Sequence, residues 1–268
     1  MELTGDNSII EIRDFSFAYA AQQVLDGVCL SVRRGEYVSM VGPNGAGKTT
    51  LLKCLMRILP GGTGHIAVNG KALGRYSQKE LAALVSYVPQ HMEHVFPFTV
   101  REFVMMARYP HISPFTSFGS ADKKAVSRAL ALTGTDAWAE RGLNTLSGGE
   151  RQKVLIASAL AQEAAILLLD EPATFLDPRY QEDIQDILDR VNRQSGVTVV
   201  TATHDINRAA LHSSRIIGLK NGRVAFCGPP GELMTYERLE NLYDTSFHLV
   251  AHPAGAAAMI VPGRREHE

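Results

Sequence analysis

Three stretches of the chain hold residues whose types and spacing suit phosphate chemistry. In "VGPNGAGKTT", Val41 to Thr50, the residues Gly42, Gly47, Lys48 and Thr49 fall in the order G-x-x-x-x-G-K-[ST]. Such a loop, Gly42-Pro43-Asn44-Gly45-Ala46-Gly47 and then Lys48-Thr49-Thr50, lets successive backbone N–H groups turn inward around phosphates. Lys48 supplies a point charge to the β- and γ-phosphates, and the Thr49 hydroxyl is a ligand for magnesium. In "AILLLDEP", Asp170 and Glu171 close an apolar run. A buried carboxylate there is costly unless compensated, and magnesium would compensate it. Glu171, one residue on, is placed to orient or deprotonate an attacking water. In "LNTLSGGERQ", Leu143 to Gln152, Ser147 and Glu150 form S-x-x-E, a capping box. An ordinary helix start explains those two residues. It does not explain Gly148 and Gly149 in a first turn, where glycine costs roughly 1 kcal/mol relative to alanine. Glycines suit that place if a ligand approaches the backbone closely, so the second reading is an anion site at a helix N-terminus.

The elements that position these residues are legible in part. Ile10, Ile12, Phe15 and Phe17, then Val28, Leu30 and Val32, alternate as short strands do. Residues 37–41 form an apolar run suited to a buried strand, and 49–59 read as a helix with Leu51, Leu52, Leu55, Met56 and Leu59 on one side. A strand at 65–68 meets the tight-turn pair Asn69-Gly70. Buried strands are expected at 165–169 and 197–202, each after a helix, at 150–162 and 180–195. Strands alternating with helices predict an α/β fold with a parallel sheet covered on both faces. Between about 99 and 146 the pattern turns helical, with helices expected at 101–108 and 121–133.

Composition excludes some classes. Lys plus Arg total 27 against 28 Asp plus Glu, which lacks the basic surplus of a nucleic-acid binder. No apolar run approaches the roughly 20 residues that span a bilayer. The polar, acidic start MELTGDNS has no signal-peptide pattern. Cys29, Cys54 and Cys227 are odd in number and far apart, as free thiols of a reducing cytosol would be.

The set as a whole resembles the ABC-type ATPases. "LSGGERQ" is similar to their signature segment and "ILLLDEP" to their Walker B segment, with Gly42–Thr50 as Walker A. The resemblance covers nearly the whole chain. It implies that Tyr19, otherwise a core aromatic, stacks on adenine, and that Gln90 in "YVPQ" reaches the magnesium and the attacking water. It implies Asp170 as Walker B aspartate, Glu171 as catalytic glutamate, Asp177 in "FLDP" as D-loop aspartate, and His204 in "ATHD" as switch histidine. The magnesium ligands would be Thr49, Gln90 and Asp170, and the catalytic set Lys48, Gln90, Glu171 and His204. The implied fold is a P-loop (RecA-like) ABC ATPase core with a small antiparallel β subdomain and an inserted helical subdomain. As one ABC ATPase domain over 1–268, the core would lie at about 1–95 and 150–240, the insertion at about 96–149 and a tail at about 241–268. In that family the signature loop of one subunit closes over the ATP held by another. Ser147, Gly148, Gly149 and Glu150 would then act in trans, and the chain would pair with a second copy of itself.

Within the family, "GRYSQKELAALVSYVPQ" and "FPFTVREFVMMARYPH" are similar to ATPase subunits of importers for iron-siderophores, haem and cobalamin. That implies integral-membrane permease partners, an indirect periplasmic or extracellular binding protein, and a peripheral place on the cytoplasmic face of the membrane. Phe96, Phe98, Val100 and Phe103 would either contact the permease or pack internally. Two departures from the group are Ala107, often Gly, and Ala173, often Thr or Ser. His91 and His94, and His248 and His252, have metal-like spacing, but no third or fourth ligand lies near either pair in sequence. The last 17 residues read as a short hairpin and a frayed end. A soluble, non-transport ABC ATPase of the iron–sulfur assembly type would carry the same motifs. A P-loop kinase or GTPase would leave the signature loop and His204 unexplained, and an exporter ATPase is more often fused to membrane segments.

Overall fold

The computed structural model describes residues 7–90, 92, 97–113, 116–251 and 258–262. It divides into two compact units, Met1–Arg75 with Val200–Glu268, and Tyr76–Val199. The helical stretch expected at 96–149 lies inside the second unit.

In the first unit, β1 (Ser8–Tyr19) and β2 (Gln22–Arg33) pair antiparallel, with Ile10 opposite Val32 and Ile12 opposite Leu30. The alternation read from the sequence puts these side chains in the core. Asp14 takes φ 48, and the register shifts there, so each strand is longer and more bent than short alternating runs suggest. After β3 (Tyr37–Val41) and α1 (Lys48–Leu55) comes β4 (Thr63–Val68), which pairs with the other edge of β1. Asn69 and Gly70, at φ 48 and 74, turn the chain into β5 (Lys71–Ala72). The order β2-β1-β4-β5 is the small antiparallel sheet the resemblance implied. Helix α1 ends four residues before the expected 59. Met56 is its C-cap and Arg57 takes the left-handed φ of 55, which no continuing helix allows.

The second unit begins with two elements that the sequence reading did not identify, α2 (Gln78–Leu84) and β6 (Val85–Val88). The start of α2 was legible, because Ser77 and Glu80 make a capping box. Then follow α3 (Val100–Met106), α4 (Ser120–Thr133), α5 (Gly148–Ala161), β7 (Ile166–Asp170) and α6 (Pro178–Ser195). Helices α3, α4 and α5 share a core of Val100, Val104, Val126, Leu130, Val154 and Ala157. Phe98 and Phe103, each half-buried, pack against it and Val100 is fully buried, which is the internal packing that was one of the two roles expected for them. Phe96 lies outside the described residues. β6 and β7 run parallel, Val85 beside Ile166 and Val88 beside Leu169.

Arg108 joins three parts of this unit. Its guanidinium donates to Asp122 Oδ1 at 3.0 Å, to the Ala161 carbonyl at 2.7 Å and to Glu163 Oε2 at 2.8 Å. The Gly119 N–H, then Arg108, hold the Asp122 carboxyl below its ordinary range. A depressed folded pKa stabilises fully above the unfolded value of about 4, and that stabilisation is lost as pH falls through it. Asp122→Asn is therefore expected to lower the urea midpoint at neutral pH. The gap to the unaltered chain should narrow as pH falls from about 6 to about 3.5. A constant gap over that range would mean that the carboxylate charge is not its source.

Strand β8 (Thr198–Ala202), wholly buried, carries the chain across the division between the units. The first unit then resumes with α7 (Ile206–His212), β9 (Arg215–Lys220), β10 (Arg223–Gly228), α8 (Pro230–Leu233), α9 (Tyr236–Tyr243), β11 (Phe247–Ala251) and β12 (Ala258–Pro262). β9 runs parallel to β3, Val41 beside Gly218, and antiparallel to β10. The terminal hairpin starts earlier than expected, at Phe247. Asn207 ties it to α7, accepting from the Ile260 N–H at 2.7 Å and donating to its carbonyl at 3.1 Å. His248 is exposed on β11, and His91, His94 and His252 lie outside the described residues. The cysteines are free thiols; burial pushes that of Cys54 up to about 11.

Candidate functional site

The first unit places the G-x-x-x-x-G-K-[ST] loop at the carboxyl end of a strand with all five residues buried, and before a helix. Two of its glycines are required by packing as well as by conformation. A Cβ on Gly42, at φ 145, would lie 2.0 Å from the Leu219 carbonyl oxygen. One on Gly47, at φ 101, would lie 2.6 Å from Leu25 Cδ2. The loop is thus pressed between β2 and β9, while Asn44 and Gly45 stay exposed at its tip. Lys48 is buried, and its Nζ donates to the carbonyls of Gly42 at 2.8 Å and Pro43 at 3.2 Å. Those bonds hold the ammonium over the loop, at a helix start of the kind whose N–H groups suit an anion. Thr49 is half-buried and Thr50 buried in the first turn of α1. Tyr19 ends β1 with its ring exposed and edge-on to Phe17, centroids 5.2 Å apart. It is not the core aromatic of the alternative reading. The Thr203 N–H donates to the Met40 carbonyl at 3.0 Å. That bond sets the exposed His204 next to the strand that leads into the loop.

The second unit gathers Gln90, Asp170 and Glu171 at one edge. Because Val88 pairs with Leu169, Gln90 and Glu171 each follow two residues beyond the same rung. Asp170 is buried, and the Tyr87 phenol donates to its Oδ2 at 3.4 Å. Burial, then the Asp170 charge, push the Tyr87 phenol up, so it remains a donor. Glu171 takes φ 50, and the Thr174 hydroxyl donates to its Oε2 at 2.7 Å. Asp177 caps α6, accepting from the Tyr180 N–H at 3.1 Å. Tyr87 and Thr174 are residues the sequence reading missed. Thr174 had a signal, a hydroxyl three residues after a turn carboxylate, where such side chains bond locally.

Ser147 and Glu150 form the capping box read from the sequence. Ser147 Oγ accepts from the Glu150 N–H at 3.3 Å, and Glu150 Oε2 accepts from the Ser147 N–H at 2.8 Å. That N–H holds the Glu150 carboxyl below its ordinary range, and Arg141 lies 3.2 Å away. Ser147 and Gly148 are exposed, and a Cβ on Gly148 would meet nothing within 4 Å. Gly149 is different: its missing side chain makes room for the Tyr180 ring. Of the two glycines, Gly148 keeps open the approach to the helix start.

A P-loop on a buried strand, a strand-end Asp-Glu pair and an exposed S-G-G helix start define an ATP-binding-cassette ATPase. The model of the family described as "ABC transporter" matches residues 25–174, more than half of the chain, and the chain belongs to that family. It binds and hydrolyses ATP as that family does. Across 247 residues it is 35% identical to the ferric enterobactin transport ATP-binding protein FepC of Escherichia coli, over 92% of this chain and 91% of that one. It is 40% identical to the hemin import ATP-binding protein HmuV of Streptomyces coelicolor, over 90% and 85%. The solved structure of an ABC transporter described as metal-chelate type, in an inward-facing conformation, superposes with a TM-score of 0.84 at 27% identity, covering 97% of this chain and 99% of that one.

Proposed function

We propose that the chain is the ATP-hydrolysing subunit of a membrane importer for an iron-siderophore, haem, cobalamin or similar metal chelate. It works as a homodimer bound to integral-membrane permease subunits, on the cytoplasmic face. An external substrate-binding protein delivers the cargo. The siderophore and haem importers among its relatives support the cargo class. Among the described residues no helix is long and apolar enough to cross a membrane.

The observation that carries the dimer is the exposed Ser147–Gly148 helix start in a chain with one P-loop. An anion there is met by N–H groups and the positive end of the α5 dipole. Two copies set head to tail would sandwich two nucleotides. Lys48 and the loop N–H groups grip the β- and γ-phosphates of one ATP, and Tyr19 stacks on its adenine. Ser147, Gly148, Gly149 and Glu150 of the other subunit close over the γ-phosphate. Glu171 takes the proton of the attacking water, and Gln90 and His204 hold that water and the γ-phosphate in line. Loss of the γ-phosphate removes the bridge, and the dimer opens.

The donor set fits magnesium. The Asp170 carboxylate, the Thr49 hydroxyl and the Gln90 amide oxygen are hard oxygen ligands, and magnesium is commonly held by one or two carboxylates plus phosphates. When bound, it neutralises charge on the β- and γ-oxygens. Tyr87 orients the Asp170 oxygen toward that role.

Ser147→Arg fills the approach with a long side chain. Turnover is expected to fall by about 10²-fold or more while each separate chain binds ATP normally. Lost binding would mean that the loop serves its own subunit's nucleotide. The importer reading is tested by affinity capture of tagged Glu171→Gln with ATP from detergent-solubilised membranes of the native host. A multi-span permease is expected among the proteins identified by mass spectrometry. Soluble scaffold proteins alone would move the chain to the non-transport class of iron–sulfur assembly ATPases.

A further inference from the structure

The second glycine of the signature loop is packed from within its own unit. A Cβ on Gly149 would stand 2.5 Å from Cγ and Cδ2 of Tyr180 and 2.8 Å from its Cδ1. Cγ lies on the axis about which the ring flips, so flipping the ring does not relieve the contact. One turn further, Lys153 Nζ donates to Asp183 Oδ2 at 3.1 Å. Gly149 and Lys153 are four apart on α5, and Tyr180 and Asp183 three apart on α6. Both pairs therefore lie along one seam between the first two turns of the two helices.

The same turn of α6 holds the loop that follows Glu171. Gln181 Nε2 donates to the carbonyls of Ala173 at 3.3 Å and Leu176 at 3.0 Å. Asp177 caps the helix, and Thr174 holds the Glu171 carboxylate. A continuous set of contacts thus runs from Glu171 through residues 173–177 and Tyr180 to Gly149.

We propose that Tyr180 is a positioning residue for the signature loop. Its ring seats Gly149, so that the N–H groups of the α5 start are aimed at the nucleotide of the partner subunit. Through α6 it also ties their position to the loop that carries Glu171. This rests on the reading of the signature loop as acting in trans. On that reading Glu171 serves the ATP of its own chain and the signature loop serves the partner's, so the seam links the two sites of the dimer. Tyr180 acts on the nucleotide site through Gly149 and not by contact of its own.

The test is a size swap in the full chain, read as ATP turnover and as binding of a fluorescent ATP analogue to the separated subunits. Gly149→Ala is expected to lose about 10²-fold in kcat, and Tyr180→Ala about tenfold, by misplacing the loop. Tyr180→Phe keeps the ring and keeps the rate. The double variant Gly149→Ala/Tyr180→Ala, with the clash relieved, should return to the rate of Tyr180→Ala alone, a strong non-additivity. Affinity for the analogue stays unchanged throughout. A double variant no faster than Gly149→Ala, or Tyr180→Ala at full rate, would overturn the proposal. If Gly149→Ala does not fold, a double variant that folds and turns over supports it, and one that also fails to fold overturns it. Full turnover by Ser147→Arg would instead defeat the trans reading itself, with the size-swap result left standing.

Discussion

Glu171→Gln is expected to bind ATP normally and to stop turning it over, with kcat down by about 10²–10⁴-fold, the usual contribution of a general base. The geometry makes this a clean substitution. The Thr174 hydroxyl donates to Glu171 Oε2 at 2.7 Å, and the amide oxygen of glutamine accepts the same bond. The left-handed backbone at position 171, φ 50, makes the same demand of either side chain. What changes is proton affinity: an amide cannot take a proton from water. Removing a negative charge near the γ-phosphate also eases closure of the two chains over ATP. The variant should therefore accumulate as an ATP-bound dimer in size-exclusion chromatography with light scattering. Wild-type turnover would remove Glu171 from the base role. A stalled variant that stays monomeric at saturating ATP would sink the sandwich.

Lys48→Ala has the second large effect, and it falls on binding. The Lys48 ammonium is buried and bonded to the carbonyls of Gly42 and Pro43, at the point where β- and γ-phosphates would sit. Removing one partner of a buried, hydrogen-bonded charge pair costs about 2–5 kcal/mol, or roughly 30- to several thousand-fold in affinity. Alanine is a good residue in the first turn of α1, so the helix should persist and the melting temperature should change little. Titration with a fluorescent ATP analogue measures the loss. Unchanged affinity and normal turnover would refute the P-loop assignment.

Much of this was legible in the sequence. The phosphate loop, the strand-end carboxylates and the capping box depend on neighbours a few residues apart, and such local chemistry leaves a pattern in the order of residues. The expected strand 37–41 and the turn Asn69-Gly70 appear as read, because a continuous apolar run and a turn pair are local signals. Strand β6 leaves little local signal, since Val85–Val88 carries an interior Ser and Tyr whose partners lie about 80 residues on. The end of α1 is not legible in the apolar pattern, because Leu59 continues that face beyond the left-handed Arg57 that follows the C-cap.

The sequence by itself determined the candidate chemistry: one phosphate-loop pattern, one carboxylate pair closing an apolar run, and one S-G-G segment at a helix start. Tertiary structure decided why particular positions are glycine and what holds the reactive groups still. Gly42 yields to the Leu219 carbonyl and Gly149 to the Tyr180 ring, while Gly148 faces open space. Tyr87 reaches Asp170 from 83 residues away. Close packing brings together residues that the chain order separates, and a glycine reads the same in sequence whether a ligand or a neighbouring ring occupies the space beside it.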